Sequence, residues 1–280
     1  MESYTDFAEV YDEFMDATPY RVWCERLSKI IDTYGISKKS NEADRTGLSE
    51  EELALTSERD LILDLGCGTG TLTELMAEAG YDMMGIDMSY DMLQIAMEKQ
   101  EESGHDIMYL CQDMRELELY CTVGTVICVC DSINYVLEDE EVIETFKRVN
   151  NYLFPKGLFI FDFNTDYKYR EVIGDTTIAE NREDCSFIWE NFYDEESRIN
   201  EYDLTVFVKE DGDMEEEEQF FRRFQETHFQ RGYDLQEMLR FAAEAGLEFV
   251  CAMDADTEGE VTEVTERVLM VCREKGKKYE

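Results

Sequence analysis

The sequence predicts an α/β fold: a doubly wound, mostly parallel sheet of seven strands with a small antiparallel sheet inserted into it. From Leu61 to Asn164, short apolar runs alternate with amphipathic helical segments. Buried strands that alternate with helices are typical of a parallel sheet covered on both faces. After Asn164 the pattern changes to apolar residues at every second position, which indicates antiparallel strands.

The predicted core strands are apolar runs, and each is separated from the next by a helix or a turn. In chain order they are "LILDL", "MMGID", "IMYLCQD", "TVICVCD", "LFIFDFN", "LEFVCAMD" and "ERVLMVCREK". Four helices are predicted between these strands. The first ends near Ala79, the second runs from Ser89 to about Glu102, the third runs from about Glu140 to Leu153, and the fourth is "DLQEMLRFAAEAG". We therefore assign the core to residues 58–164 and 233–280.

Three further segments surround this core. Residues 1–36 contain two amphipathic stretches, "FAEVYDEFM" and "YRVWCERLSKIIDTYG", and are predicted to form a helical cap. Residues 37–57 are polar and acidic, which predicts a surface loop or a partly disordered insertion, with room for a short helix at "SEEELAL". Residues 165–232, with turn signals at "DEES" and "EDGDME", are predicted to form the antiparallel insertion, a substrate lid.

The composition limits the partners of the protein. Its 280 residues include 26 Lys plus Arg and 67 Asp plus Glu, giving a formal net charge of −41. A surface this acidic repels phosphate backbones and anionic membranes, so nucleic acid is not expected as a partner. The chain shows neither a signal peptide nor an apolar stretch approaching the ~20 residues of a membrane span. We expect a cytoplasmic protein without membrane contact.

Cysteine and histidine usage indicates neither a disulfide framework nor a metal site. Nine cysteines is an odd number, and none of them forms a CxxC pair, so we expect them to be reduced and mostly buried. The chain has two histidines and no HExxH sequence. A dedicated transition-metal site is therefore not expected.

A glycine-rich turn, "LDLGCGTG", follows the first predicted core strand. Gly66, Gly68 and Gly70 spell G-x-G-x-G, whereas a dinucleotide fingerprint needs G-x-G-x-x-G, and position 71 is Thr. A turn without Cβ atoms still lets a ligand lie against the backbone, with helix N–H groups facing an anion. Asp87, which ends the second strand, can accept both hydroxyls of a ribose. This combination predicts a nucleoside joined to a small anionic group without a pyrophosphate.

These residues resemble the first motif of the class I S-adenosylmethionine-dependent methyltransferases. The match covers Leu61 to about Asn164 and the two closing strands, and it implies a Rossmann-like fold with S-adenosyl-L-methionine as the cofactor. It also implies that Asp87 in "GIDMS" binds the ribose. The methionine portion is expected to contact Asp64 and the glycine turn, whose residues include Gly66, Cys67, Gly68 and Gly70.

Two further motifs extend the resemblance. "CQDMREL" resembles the acidic motif after the third strand, which implies that Asp113 binds the adenine amino group. "VCDSINYV" resembles the end of the fourth strand and implies that Cys130 and Asp131 lie near the methyl-bearing sulfur. The other residues expected near the cofactor on this basis are Met88, Met92, Gln112 and Met114.

The whole chain is similar to a bacterial subgroup with an N-terminal helical cap and a β insertion after the fifth strand. Similar layouts occur in sugar-amine and glycine-type N-methyltransferases, which implies methyl transfer to an N or O atom of a small-molecule acceptor by a monomer or homodimer. Three cap aromatics, Tyr11, Tyr20 and Trp23, are candidates to close over the cationic sulfonium. Core packing is the alternative for each of them.

His228 in "ETHFQR" is the only histidine of the insertion, and a neutral imidazole suits proton uptake near pH 7. It is the first candidate for the catalytic base, with Asp131, Tyr135 or water as alternatives. A structural role for His228 is an open alternative. Asp64 could likewise cap backbone amides of its own turn, and Met88 and Met92 could be ordinary core residues.

Two other functions stay open at this point. The chain could be a regulatory protein that binds S-adenosylmethionine or S-adenosylhomocysteine without turning it over, although intact glycines and carboxylates argue against this. A nicotinamide-dependent oxidoreductase is opposed by the glycine spacing. The prediction is a methyltransferase of the EC 2.1.1 class.

Overall fold

The computed structural model describes residues 7–40, 46–210 and 220–277, which contain two β-sheets. The strands are β1 (Ile62–Leu65), β2 (Met83–Asp87), β3 (Met108–Cys111), β4 (Val123–Cys128), β5 (Leu153–Asn164), β6 (Thr177–Asn181), β7 (Cys185–Asp194), β8 (Ile199–Lys209), β9 (Phe221–Arg231), β10 (Leu247–Asp254) and β11 (Arg267–Glu274). The main sheet has seven of them in the order β10-β11-β5-β4-β1-β2-β3. β11 runs antiparallel to both of its neighbours, and the other pairs are parallel. The predicted seven-stranded, mostly parallel Rossmann-like sheet is confirmed.

Helices cover both faces of this sheet. The seven α-helices of the described residues are α1 (Ala8–Phe14), α2 (Tyr20–Tyr34), α3 (Glu50–Asp60), α4 (Thr71–Glu78), α5 (Tyr90–Ser103), α6 (Asp139–Tyr152) and α7 (Leu235–Glu244). In β5 the side chains alternate, so that Phe159 packs on α6 and α7 residues while Ile160 packs on α2 and α4 residues. The apolar run "LFIFDFN" therefore contributes to two cores at once.

α3 differs from the prediction for residues 37–57. Instead of a surface loop with a short helix, Glu50–Asp60 forms three helical turns that continue to the start of β1. Ser49 and Glu52 form a capping box, in which each side chain binds the other's backbone N–H. The helix approaches β4 so closely that a Cβ on Gly124 would lie 1.7 Å from the carbonyl oxygen of Arg59. Residues 41–45 of the predicted loop lie outside the described residues.

The second sheet is antiparallel, in the order β6-β7-β8-β9, and lies between β5 and α7 in the chain. One of its faces packs against α1, where Phe14 and Phe187 make an edge-to-face contact with ring centroids 4.8 Å apart. Most of the predicted turn at "EDGDME" falls in residues 211–219, outside the described residues. α1 is thus held between the inserted sheet and the main core.

The described residues contain neither a membrane-spanning helix nor a cluster of metal ligands. None of the helices described is both long enough and apolar enough to cross a membrane. Within the same residues, no three or more His, Cys, Asp or Glu side chains are grouped so that they could hold a metal ion.

Candidate active site

A cavity of about 450 Å³ opens at the carboxyl ends of β1, β2 and β4. Its floor is the turn between β1 and α4, where Gly66 and Gly68 have φ of 82° and 54°. A Cβ on Gly66 would lie 2.7 Å from Ser132 Oγ, so a side chain there would be both strained and crowded. Gly70, with φ of 74°, caps α4 and is not among the cavity-lining residues. Cys67 lines the cavity beside the two glycines.

Asp87 lies at the end of β2, beside the glycine turn. Its two carboxylate oxygens accept hydrogen bonds from the backbone N–H groups of Gly68 (2.9 Å) and Ser89 (2.8 Å). Burial raises the pKa of Asp87 above its usual range, although these hydrogen bonds oppose the shift. The carboxylate lines the cavity, so the ribose contact predicted for it is sterically available.

Asp64 lines the cavity from inside β1 and is almost fully buried. Burial raises its pKa to about 7, and nearby Asp87 adds to the shift, while a 2.6 Å hydrogen bond from Thr73 Oγ1 opposes it. The alternative role for Asp64 was to cap backbone amides of its own turn. The hydrogen-bond partner in the structure is instead the Thr73 hydroxyl on α4. Asp64 stays a candidate for the methionine portion.

Asp113 lines the cavity after β3, but its carboxylate is shared with Arg115. Arg115 donates to it from the backbone N, Nε and Nη2, the last at 2.6 Å. Burial alone would raise the pKa of Asp113, but these hydrogen bonds bring it below the usual range. An adenine amino group would have to bind alongside Arg115, a lining residue to which the sequence analysis gave no role.

The other residues expected at the nucleoside all line the cavity: Met88, Met92, Gln112 and Met114. Met88 is 55% exposed, so the alternative that it is an ordinary core residue does not hold. Met92 is both part of the core and part of the cavity wall. The Gln112 side chain bonds the backbone of Glu118 and thereby holds the turn after β3.

Two of the three cap aromatics reach the cavity. Tyr11 and Tyr20 line it, and Tyr11 Oη lies 3.9 Å from Cys130 Sγ, another lining atom. Trp23 does not line it. Its ring packs edge-on against Tyr20 and lies under the guanidinium of Arg267, 5.6 Å from the ring centroid. Trp23 therefore packs against neighbouring side chains, which was the alternative to its closing over the sulfonium.

Asp12, which the sequence analysis did not single out, ties α1 to the glycine turn. Its Oδ1 accepts hydrogen bonds from Thr69 Oγ1 (2.7 Å) and Thr71 Oγ1 (3.2 Å). Its Oδ2 lies 2.6 Å from the ammonium of Lys99 on α5. Because Tyr11 is the preceding residue, these bonds hold an aromatic wall of the cavity in place.

Replacing Asp12 with Ala is expected to speed cofactor dissociation about tenfold, because losing two hydrogen bonds and an ion pair frees α1 from the turn. Stopped-flow displacement of bound S-adenosylhomocysteine measures this rate. Glu13→Ala, one residue along the same helix, is the control. An unchanged dissociation rate in the Asp12 variant would show that α1 does not restrain the cofactor.

At the end of β4, Cys130 and Asp131 both have positive φ, 63° and 53°. Their backbone N–H groups donate to the carboxylate of Asp162, which holds this strained turn. Cys130 faces the cavity, but Asp131 faces away from it. The Asp131 carboxylate accepts from Gln230 Nε2 (2.7 Å) and Arg267 Nη2 (3.1 Å). The structure therefore provides no direct path for an acceptor proton to Asp131.

His228 is 1% exposed and does not line the cavity. Tyr135, from the 3₁₀ turn Ser132–Tyr135, stands between it and the cavity. The Tyr135 hydroxyl lies 3.3 Å from His228 Nδ1 and 2.6 Å from the hydroxyl of Tyr202. An acceptor in this cavity can touch Tyr135 but not His228. The prediction that His228 is the base is therefore corrected in one respect, because His228 cannot take the acceptor's proton by direct contact.

Comparisons with known proteins agree with this site. Residues 62–157 match the family model described as a methyltransferase domain. A putative methyltransferase of Bacillus subtilis strain 168 is 34% identical over 258 residues, covering 91% of each chain. A crystal structure of an S-adenosylmethionine-dependent methyltransferase from Clostridium acetobutylicum superposes with a TM-score of 0.78 at 26% identity, covering 98% of this chain and 100% of that one. An S-adenosylmethionine-bound amino pentose methyltransferase from Micromonospora echinaspora shares the fold at a TM-score of 0.64 and 16% identity, over 98% and 99% of the two chains.

The chain belongs to the class I S-adenosylmethionine-dependent methyltransferases, and S-adenosyl-L-methionine is its cofactor. The glycine spacing that argued against a nicotinamide cofactor agrees with this result. The cavity residues fit the group, because a bare glycine turn is followed by carboxylates at two successive strands, Asp87 as the last residue of β2 and Asp113 after β3.

S-Adenosylhomocysteine at a hundredfold excess over its Kd is expected to stabilise the protein by about 2.7 kcal/mol, because it binds the native state alone. For a domain of this size that corresponds to a Tm rise of about 5 °C or more. Differential scanning fluorimetry measures the shift, with NAD at the same concentration as the control. Equal stabilisation by NAD would contradict the selectivity expected of the glycine turn.

Proposed function

We propose that this protein transfers the methyl group of S-adenosylmethionine to an N or O atom of a small-molecule acceptor. The observation that carries the proposal is the extent of the cavity. From the glycine turn it continues to Tyr135, Leu137 and Phe229, the last of which belongs to the inserted sheet. The space beyond the cofactor-binding turn is where an acceptor would lie.

The size and covering of the cavity favour a small acceptor. About 450 Å³ must hold both the cofactor and the acceptor, and α1 covers the turn through Tyr11 and Asp12. Pockets of this size bind small molecules. The net charge of −41 disfavours a nucleic acid acceptor for the same electrostatic reason given above.

The acceptor end of the cavity is mainly apolar, with Val136, Leu137 and Phe229 around one phenol, Tyr135. The carboxylates of Asp64, Asp87 and Asp113 are contributed by the strand ends that surround the glycine turn. We therefore propose an acceptor with an apolar body and one nucleophilic nitrogen or oxygen near the Tyr135 hydroxyl. Such an arrangement orients the acceptor by a single polar contact within an apolar wall.

The cofactor supplies a methyl group that its sulfonium already activates. The chain must then hold the acceptor in line, keep water out and accept a proton. Correct positioning alone can offset about 7–11 kcal/mol of the barrier. The rings of Tyr11 and Tyr20 border the cavity, where an aromatic face stabilises a cationic centre by about 0.5–2 kcal/mol.

The test is methyl transfer from labelled S-adenosylmethionine to a library of amines, alcohols, phenols and carboxylic acids, with S-adenosylhomocysteine release as the readout. The expected result is turnover of acceptors with an apolar body, and none by the Asp87→Ala variant at low cofactor concentration. Tight cofactor binding without transfer to any member would contradict the proposal and favour a regulatory cofactor-binding protein.

A further inference from the structure

A chain of polar side chains leads from the cavity into the inserted sheet. It begins at Tyr135 on the cavity wall, whose hydroxyl lies 3.3 Å from Nδ1 of His228 on β9. On the other side of the imidazole, Nε2 lies 3.2 Å from Oε2 of Glu226. The second oxygen of Glu226 accepts a hydrogen bond from the backbone N–H of Phe7, at the start of α1.

Packing does not account for these residues. His228 and Glu226 are 1% and 7% exposed and point to the same face of β9, where Leu204 lies opposite Glu226 and the buried polar residue Gln230 follows His228. A buried ionisable pair is often less stable than apolar residues of similar volume. The Tyr202 ring stacks on the imidazole at 4.8 Å with a 7° interplanar angle and fixes its plane. The imidazole is therefore held in a fixed plane, with Tyr135 on its cavity side and the Glu226 carboxylate within ion-pair distance on the other side.

We propose that Tyr135 is the residue that takes the acceptor's proton, with His228 relaying it inward and Glu226 holding the histidine as a positioning residue. This inference rests on the proposed function, since it concerns the proton released in that transfer. Tyr135 touches the acceptor, whereas His228 and Glu226 act through it. The triad logic of a polar group oriented by a histidine and a carboxylate supports the assignment of roles.

The proposed step conserves atoms and charge. The acceptor nitrogen or oxygen forms a bond to the methyl carbon as the carbon–sulfur bond breaks. The electron pair of the carbon–sulfur bond stays on the sulfur. The acceptor's proton passes to Tyr135 Oη while the tyrosine's own proton passes to His228 Nδ1. The imidazolium that forms lies beside Glu226, 3.2 Å away, and returns its proton through Tyr135 to the open cavity between turnovers.

Side chains from three elements pack around His228. Tyr135 from the 3₁₀ turn contacts it with its hydroxyl, and Tyr202 from β8 contacts it with its ring. Gln230, the next residue on the same face of β9, is neutral and bonds Asp131 and Tyr169 instead. Glu226 is an acidic residue whose Oε2 lies 3.2 Å from the imidazole Nε2.

The first test is kinetic and uses Tyr135→Phe, His228→Asn and Glu226→Gln, with His105→Asn as the matched control on the other histidine. The expected result is a fall in kcat/KM for the acceptor of about 100-fold in Tyr135→Phe, with S-adenosylhomocysteine affinity unchanged within threefold. An activity within threefold of the parent in a folded Tyr135→Phe protein would overturn the proposal.

The second test needs no acceptor, because the chain has only two histidines. Proton NMR of the imidazole Cε1–H signals resolves them, and His105→Asn assigns the His228 signal. Glu226→Gln removes the counter-charge and is expected to lower the His228 midpoint by about one pH unit, and Tyr135→Phe is expected to shift it as well. A His228 midpoint that moves in neither variant would overturn the relay. Failure of the parent protein to methylate any acceptor would instead overturn the proposed function.

Discussion

Replacing Asp87 with Ala is expected to weaken the binding of S-adenosylhomocysteine by about 2–4 kcal/mol, because the ribose hydroxyls lose charge-assisted hydrogen bonds in a partly dry site. That corresponds to a rise in Kd of roughly 30- to 1000-fold. Part of the loss comes from the protein itself, since the Asp87 carboxylate also holds the N–H of Gly68 in the turn. Isothermal titration calorimetry measures the affinity.

Asp82→Ala supplies the matched control for this variant. Asp82 lies just before the other end of β2 and accepts a hydrogen bond from Ser40, away from the cavity. Circular dichroism should show both variants folded, and the Asp82 variant should bind as the parent does. If Asp87→Ala binds S-adenosylhomocysteine as tightly as the parent, the ribose role assigned to Asp87 is wrong.

Gly124→Ala is expected to lower the free energy of unfolding by about 3 kcal/mol. A Cβ at this position would lie 1.7 Å from the Arg59 carbonyl oxygen and 2.5 Å from Ser37 Oγ, so α3 must move away from β4. Overpacking of a well-filled site costs about 1–3 kcal/mol, and here the obstacle is backbone that cannot rotate away. Urea denaturation followed by circular dichroism measures the change.

Gly104→Ala serves as the comparison for Gly124. Gly104 has φ of 73° at the end of α5, but a Cβ there meets nothing within 4 Å. Its substitution should cost only the conformational term of about 1 kcal/mol. If both variants lose the same stability, crowding between α3 and β4 is not what makes Gly124 necessary.

The features that could be predicted from the sequence are those encoded within a few residues. Each core strand is a short apolar run, and the glycine turn with Asp87 is a local pattern whose spacing carries the chemistry. α3 was underestimated because it is strongly charged and only weakly amphipathic. Its signal was Ser49 followed by Glu52, a capping box within the acidic stretch.

The features that could not be predicted depend on distant contacts. Asp12 meets Thr69 and Thr71, which are 57 and 59 residues away, and nothing near Asp12 indicates this. Trp23 follows Tyr20 by one helical turn, so periodicity places both on one side of α2 without showing that the cavity ends between them. Asp131 adjoins Cys130, but the strained backbone turns the two side chains in different directions.

Helix α1 contacts both the glycine turn that binds the cofactor and the carboxylate of the proposed proton relay. Through Asp12 it binds the glycine turn, and through the N–H of Phe7 it binds Glu226. Any opening of α1 that lets the spent cofactor leave also withdraws a hydrogen bond from that carboxylate. On the proposed relay, methyl transfer would need α1 closed and product exit would need it open, so we expect a pre-steady-state burst followed by slower turnover limited by the helix.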